Sequence, residues 1–299
     1  MARYGRLRTR SLLQPRVGAL LSLVDPALGG QEECVHDFRV AARSLRASLQ
    51  TLIRGPHTTL VGKTDLALRR AIRALADVRD RDVGRSLILK MRANSEPASA
   101  LKRRVLGLCE SDRRLALARS ERRWPRKLDR LLTELLHRGE PGLQVIIRRA
   151  RADAWRQRGC SLDLIRSLGR RYDPGRLHDL RIRIRRLRYA LEVLAEVDRG
   201  AKLRLIVLKP IQSALGNGQD HVVVSGWLRA YATRFRRSDT ALASALDREA
   251  VRFDALSRDS HATFLRLRAK GILEGLAMHV DPFSEAPQPA RKRRQQATS

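Results

Sequence analysis

Eight side chains stand out because both their types and their intervals recur. His36, Arg39, Arg43 and Arg46 occupy relative positions 0, 3, 7 and 10, and His178, Arg181, Arg185 and Arg188 repeat that spacing 142 residues later. At 3.6 residues per turn each quartet falls within about 80° of arc and spans roughly 15 Å of helix. The spacing predicts one straight cationic row on each of two helices. Guanidinium suits a phosphate ligand, because its planar fork engages two oxygens at once and stays charged at any ordinary pH. A histidine at the head of the row can donate to a phosphate oxygen, and a nearby anion favours its charged form. A single row reads equally well as a solvated helix face. Two rows with matched spacing point to an anionic ligand.

The elements that carry the rows are themselves repeated. Residues 35–52 read VHDFRVAARSLRASLQTL and residues 177–194 read LHDLRIRIRRLRYALEVL, identical at eight of eighteen positions without a gap. Leu180, Ile184, Leu187 and Leu191 lie on the neighbouring face, which predicts a helix with one face in a core and a row of guanidiniums along its edge. A second correspondence follows at an offset of 140, where Asp80 matches Asp220 and Val83 matches Val223. These matches predict an internal duplication with halves near 1–140 and 141–280, and a pseudo-twofold axis that brings the rows to a shared basic groove. Asp37, Asp179, Asp80, Asp82 and Asp220 read as structural carboxylates, since none has a partner at a catalytic spacing.

Around these segments nearly everything reads helical. Apolar residues recur at three- and four-residue intervals through Leu68-Ala71-Ile72-Leu75, Leu101-Val105-Leu108 and Leu128-Leu131-Leu132-Leu135. Val222-Val223-Val224 is the one short strand candidate. Breaks are expected at Asp25-Pro26, Gly29-Gly30, Gly55-Pro56, Glu96-Pro97, Gly139 to Gly142 and Asp173-Pro174-Gly175, with a helix-terminating turn at Gly216-Asn217-Gly218. The fold class is therefore all-α, and residues 281–299, with Arg291 to Arg294, read as a disordered basic tail.

Bulk composition agrees with an anionic partner. The 62 Lys and Arg against 31 Asp and Glu leave a net charge of +31, and 54 of the 62 are arginine. The charge is shared between the halves: residues 1–150 carry 32 basic and 15 acidic groups, and residues 151–299 carry 30 and 16. That much like charge repels itself unless a polyanion neutralises it. An apolar content of 43% excludes a generic disordered basic tail. Cys34, Cys109 and Cys160 are too few and too scattered for a disulfide framework or a zinc site, which fits a reducing cytoplasm. No apolar run approaches the length of a membrane span, and the arginine-rich N-terminus reads as an amphipathic helix rather than a targeting signal. No phosphate loop, dinucleotide fingerprint, nucleophile elbow or HExxH is present, so no enzymatic activity, metal or cofactor is expected. An aromatic content of 4% offers few stacking platforms for single-stranded nucleic acid.

Together the two long motifs (His36 to Arg46 and Leu177 to Glu192), the VRDxDV-like segment Val78 to Val83 and the LQxxLGxxxD-like segment Ile211 to Asp220 resemble the conserved histidine α-helical domain (CHAD) family. The resemblance covers residues 1–280 in the right order. Ser44 stands where the family commonly has a basic residue, and Arg185 where it often has lysine. The resemblance implies a single domain of two similar four-helix bundles about a pseudo-twofold axis, with a basic central groove. It further implies binding of inorganic polyphosphate and a place on polyphosphate granules in the cytoplasm. Carried over by position, it puts His36, Arg39, Arg43, Arg46, His178, Arg181, Arg185 and Arg188 on the anion, with Arg70, Arg73, Arg79, Lys202 and Lys209 as further candidates. Non-specific nucleic-acid binding is the alternative function.

Overall fold

The computed structural model describes residues 10–52, 59–91, 95–137, 143–196 and 198–276. Helices are the only regular element among them: α1 (Arg10–Leu21), α2 (Val24–Leu28), α3 (Glu32–Leu52), α4 (Leu60–Ala74), α5 (Ala76–Leu89), α6 (Glu96–Arg123), α7 (Leu128–His137), α8 (Leu143–Leu168), α9 (Pro174–Leu194), α10 (Arg199–Phe235), α11 (Thr240–Arg266) and α12 (Ala269–Gly275). The all-α expectation therefore holds. Residues 277–299, which include the expected basic tail, lie outside the described residues, as do the expected breaks at Gly55-Pro56 and at 139–142.

Short polar side chains start the helices. Asp173 accepts from the backbone N–H of Arg176 at 3.1 Å ahead of Pro174, which opens α9. Ser95, Thr59 and Asp239 cap α6, α4 and α11 in the same way. Each cap satisfies an amide that the first turn leaves without a partner. Pro97 sits in the first turn of α6, where its missing N–H costs nothing.

Apolar faces gather into three cores. Leu20, Phe38, Leu45, Leu68, Leu128 and their neighbours join α1, α2, α3, α4 and α7. Ile184, Leu187, Leu191, Leu208, Ile211 and Leu273 join α8, α9, the first half of α10 and α12. The third core was not foreseen: Ile88, Val105, Leu228, Leu246 and Phe253 bring α5 and α6 against α11 and the second half of α10. This core is a layer drawn from both halves of the chain. On α9 the face assigned to the core, Leu180, Ile184, Leu187 and Leu191, is fully buried.

Two local expectations are corrected. Gly216-Asn217-Gly218 does not end a helix, and Val222 to Val224 is not a strand; both lie inside the 37-residue α10. Gly218 serves close approach instead of a turn. A Cβ there would stand 3.4 Å from Ser260 Cβ, and the Ser257 hydroxyl of α11 donates to the Gly218 carbonyl at 3.0 Å. Valine in α10 follows packing, since Val224 is buried against α11. The Asp25-Pro26 break also falls within the one-turn helix α2.

Gly84 is the tightest seam between the halves. A Cβ at this position of α5 would meet Trp227 Cζ3 of α10 at 2.1 Å, and Arg81 lies 4.0 Å over the same indole ring. Gly107, in α6, faces open space. Helix propensity alone favours alanine at both by up to about 1 kcal/mol. Gly107→Ala should therefore raise stability in chemical denaturation, whereas Gly84→Ala should lower it by about 1–3 kcal/mol through overpacking. Equal gains at both sites would contradict this seam.

Candidate functional site

The two rows meet at the centre of the fold, where α3 and α9 pack on one another with α5 and α10 alongside. Arg39 is the most enclosed member, 8% exposed, and its guanidinium donates to the Ile72 carbonyl at 2.9 Å. Burial pulls its pKa down to about 10, helped by the charge of Arg43, while Asp80 pulls the other way. Arg185 is likewise pushed down to about 10, first by burial and then by Arg43 across the interface. Burial also lowers Arg43, with Tyr189 opposing it and Arg181 and Arg188 of the facing helix adding to it. Like charges from two helices thus press on each other in a partly dehydrated space. None of Arg43, Arg79, Arg181 and Arg185 forms a salt bridge with a carboxylate among the described residues. For Arg39 alone the penalty of remaining charged is on the order of 3 kcal/mol.

The other candidates divide clearly. Arg79 belongs to the centre: its charge bears on His36, Arg39 and Asp220. His36 is surface-exposed at the head of its row, and its pKa is lowered by partial burial, then by Arg79. His178 heads the other row and hydrogen-bonds Gln219 of α10 through Nδ1 at 2.8 Å. Arg46 and Arg188 are held by acids. Arg46 makes a bidentate pair with Asp65 of α4 at 2.9 and 3.2 Å, and Arg188 stands 3.1 Å from Glu192 and lies over the Tyr189 ring. Arg70, Arg73, Lys202 and Lys209 are exposed on the outer faces of α4 and α10, and none is among the charges that act on the central arginines.

Three residues of the centre carry more than the sequence reading gave them. Asp80 and Asp220, read as structural, face the rows; burial raises both, and the guanidiniums of Arg39 and Arg181 respectively pull them back. Their alignment at an offset of 140 was the available signal. Tyr189, 5% exposed, carried none, because the aligned position in the first half is Ala47. Asp82 is structural as read: fully buried, it pairs with Arg113 of α6, which also donates to the Gly30 carbonyl. Ser44 does not leave a gap where a cation is common. Its hydroxyl donates to Glu192 at 3.3 Å and ties α3 to α9.

No described helix is long and apolar enough to cross a membrane, and among the described residues no three His, Cys, Asp or Glu side chains form a group that could hold a metal ion. Fold and centre together define an all-helical protein whose main polar feature is a pair of facing guanidinium rows. The CHAD domain family model matches residues 11–229, and the chain belongs to that family. The fold is shared with the CHAD domain crystal structure from the plant Ricinus communis, at 20% identity and a TM-score of 0.66, covering 90% of this chain and 91% of that one. It is shared also with PptA from Streptomyces chartreusis, at 16% identity and a TM-score of 0.64, covering 87% and 97%. Comparison with curated proteins gives no match.

A site this crowded should cost the free protein stability. Arg43→Gln is expected to raise the stability of the ligand-free protein by about 1 kcal/mol, as relief of strained functional sites commonly does. Arg46→Ala should lower it by a similar amount, because Asp65 is left unpaired at 16% exposure. Thermal denaturation in the same buffer reads both signs, and destabilisation by Arg43→Gln would refute the account of the centre.

Proposed function

We propose that this protein binds inorganic polyphosphate, without catalysis, along the facing rows of α3 and α9. The observation that carries the reading is the set of partly buried guanidiniums, Arg39, Arg43, Arg181 and Arg185, held towards one another with too little carboxylate to neutralise them. Membership of a family associated with polyphosphate supports it. A chain of phosphates supplies one negative charge per unit at a regular interval, and its linear form suits two straight rows better than a compact anion would. His36 and His178 would meet the chain at the heads of the rows, and Arg79 from α5. Arg46 and Arg188 would act less directly, since each already holds an acid. Arg70, Arg73, Lys202 and Lys209 would attract the chain from a distance. We take residues 1–280 as one domain of two duplicated halves, and its cellular role as targeting to, or organising, cytoplasmic polyphosphate granules.

Binding is expected to be largely counterion release. If about four phosphates are neutralised, the logarithm of the association constant should fall against the logarithm of salt with a slope near −3. A titration comparing long-chain polyphosphate, single-stranded DNA and duplex DNA at one salt concentration tests the ligand. Equal affinity for all three would favour the nucleic-acid alternative. Arg39→Glu with Arg181→Glu should abolish binding, and retention of full affinity by that pair would exclude the rows.

The sign of the pH dependence follows from His36. Partial burial, then the charge of Arg79, depresses its pKa in the free protein, and a bound polyanion raises it. Binding therefore takes up a proton between the free and bound pKa values, and affinity increases as pH falls through that window. From about pH 8 to about pH 6 the association constant should rise in wild type, and the rise should shrink in His36→Gln. Isothermal titration in two buffers of different ionisation enthalpy would detect the proton taken up.

A further inference from the structure

A second cationic pocket lies away from the rows. Between the end of α3, the middle of α8 and the far side of α9 is a cavity of about 370 Å3, bordered by Arg156, Arg183, Arg186, Gln157, Gln50 and Asp153. On α9, Arg183 and Arg186 sit roughly 150° around the helix from the row of Arg181, Arg185 and Arg188, with the buried leucine face between them. They are three residues apart, so their side chains leave adjacent turns of one face and can close on a single phosphate group. Neither has a hydrogen bond or ion pair among the described residues. The third guanidinium, Arg156, pairs with Asp153 on the same wall.

Two observations separate this pocket from the duplicated site. The positions aligned with Arg183 and Arg186 in the first half are Ala41 and Ser44, so the cation pair exists once per chain, whereas the rows exist twice. The pocket also holds a polar group that an inorganic chain would not satisfy. Gln157 is 5% exposed; its amide nitrogen donates to Asp153 at 3.3 Å, and its carbonyl oxygen has no donor. A buried acceptor without a partner is costly and calls for a hydrogen-bond donor. Internal phosphates of polyphosphate carry no such donor at neutral pH.

We propose that this cavity is a separate binding site for a small organophosphate, whose phosphate lies on Arg183 and Arg186 and whose hydroxyl or amino group donates to the Gln157 carbonyl oxygen once that side chain turns from its buried position towards the cavity. Its volume falls within the range of small-molecule sites and suits a mononucleotide or sugar phosphate. The proposal does not depend on the polyphosphate reading, because it uses none of the same side chains.

The test is calorimetric titration of the full chain, at one moderately high salt concentration, with AMP, glucose 6-phosphate and inorganic pyrophosphate. Saturable binding of AMP or glucose 6-phosphate is expected. Arg183→Ala with Arg186→Ala should weaken it about tenfold or more, and Arg39→Glu with Arg181→Glu should leave it unchanged. Gln157→Leu, which keeps the volume without the acceptor, should weaken the organophosphates and spare pyrophosphate. Circular dichroism of each variant checks that the helices are intact. Absence of saturable organophosphate binding overturns the proposal. Pyrophosphate binding as tightly as both organophosphates overturns the ligand class and makes the pocket an extension of the inorganic-phosphate surface. Loss of AMP binding in the Arg39/Arg181 variant overturns its separateness.

Discussion

Everything at the centre depends on a repulsion. Two helices present guanidiniums to each other in a space that is partly closed to water, and their charges are mutually unfavourable. Such an arrangement persists only if the surrounding structure over-determines it. Phe38, Ala42, Leu45 and Leu49 fix α3 from one side, and Leu180, Ile184, Leu187 and Leu191 fix α9 from the other, all fully buried. The ends of the rows are pinned separately by Asp65 on Arg46 and Glu192 on Arg188. Apolar packing thus supplies the free energy that the cations cost. The strain leaves the middle of each row without a salt-bridge partner among the described residues.

The acids at the centre limit this strain without abolishing it. Burial lifts the proton affinity of both Asp80 and Asp220, Asp77 adding to the first and Asp80 to the second, so these carboxylates share the field of several guanidiniums. A fuller set of acids would have turned the site into an internal salt-bridge network with nothing left to offer a ligand. The contrast with the rest of the surface is informative. Many outer arginines pair with an acid one helical turn away, as Arg114 does with Glu110 and Arg130 with Glu134. The net charge of +31 is therefore not spread evenly in its consequences. Part of the periphery is locally compensated, and what sets the centre apart is that its unpaired guanidiniums are partly buried, so that their charges are not screened by water.

What was readable in the sequence follows the same division. The rows, the core face of α9 and the all-helical fold were legible because each is a periodic pattern on one helix. Residues whose role arises only when helices meet were not. Tyr189 looks like an ordinary apolar position until α3 places Arg43 near it. Gly216 and Gly218 look like punctuation, since glycine usually is, but in α10 the absent side chain at Gly218 admits α11. The third core was hidden for a related reason. Its residues are apolar at helical spacing like all the others, and nothing in that spacing says which distant helix each will face.

Departures from the repeat are where the two halves can do different things. The aligned segments differ in continuity: the first half breaks at Leu75 between α4 and α5, and the second runs unbroken through Pro210 as α10. They differ in chemistry at the positions beside the rows, where the first half has Ala41 and Ser44 and the second has Arg183 and Arg186. Ser44 is used inward, on Glu192, and holds the helices together. Its counterpart Arg186 points to a polar cavity and holds nothing within the described residues. The two rows face each other across one centre, so a change in either alters the surroundings of the other. Positions around the helix from the row escape that constraint, and a function carried by one half alone can arise there without disturbing the shared centre.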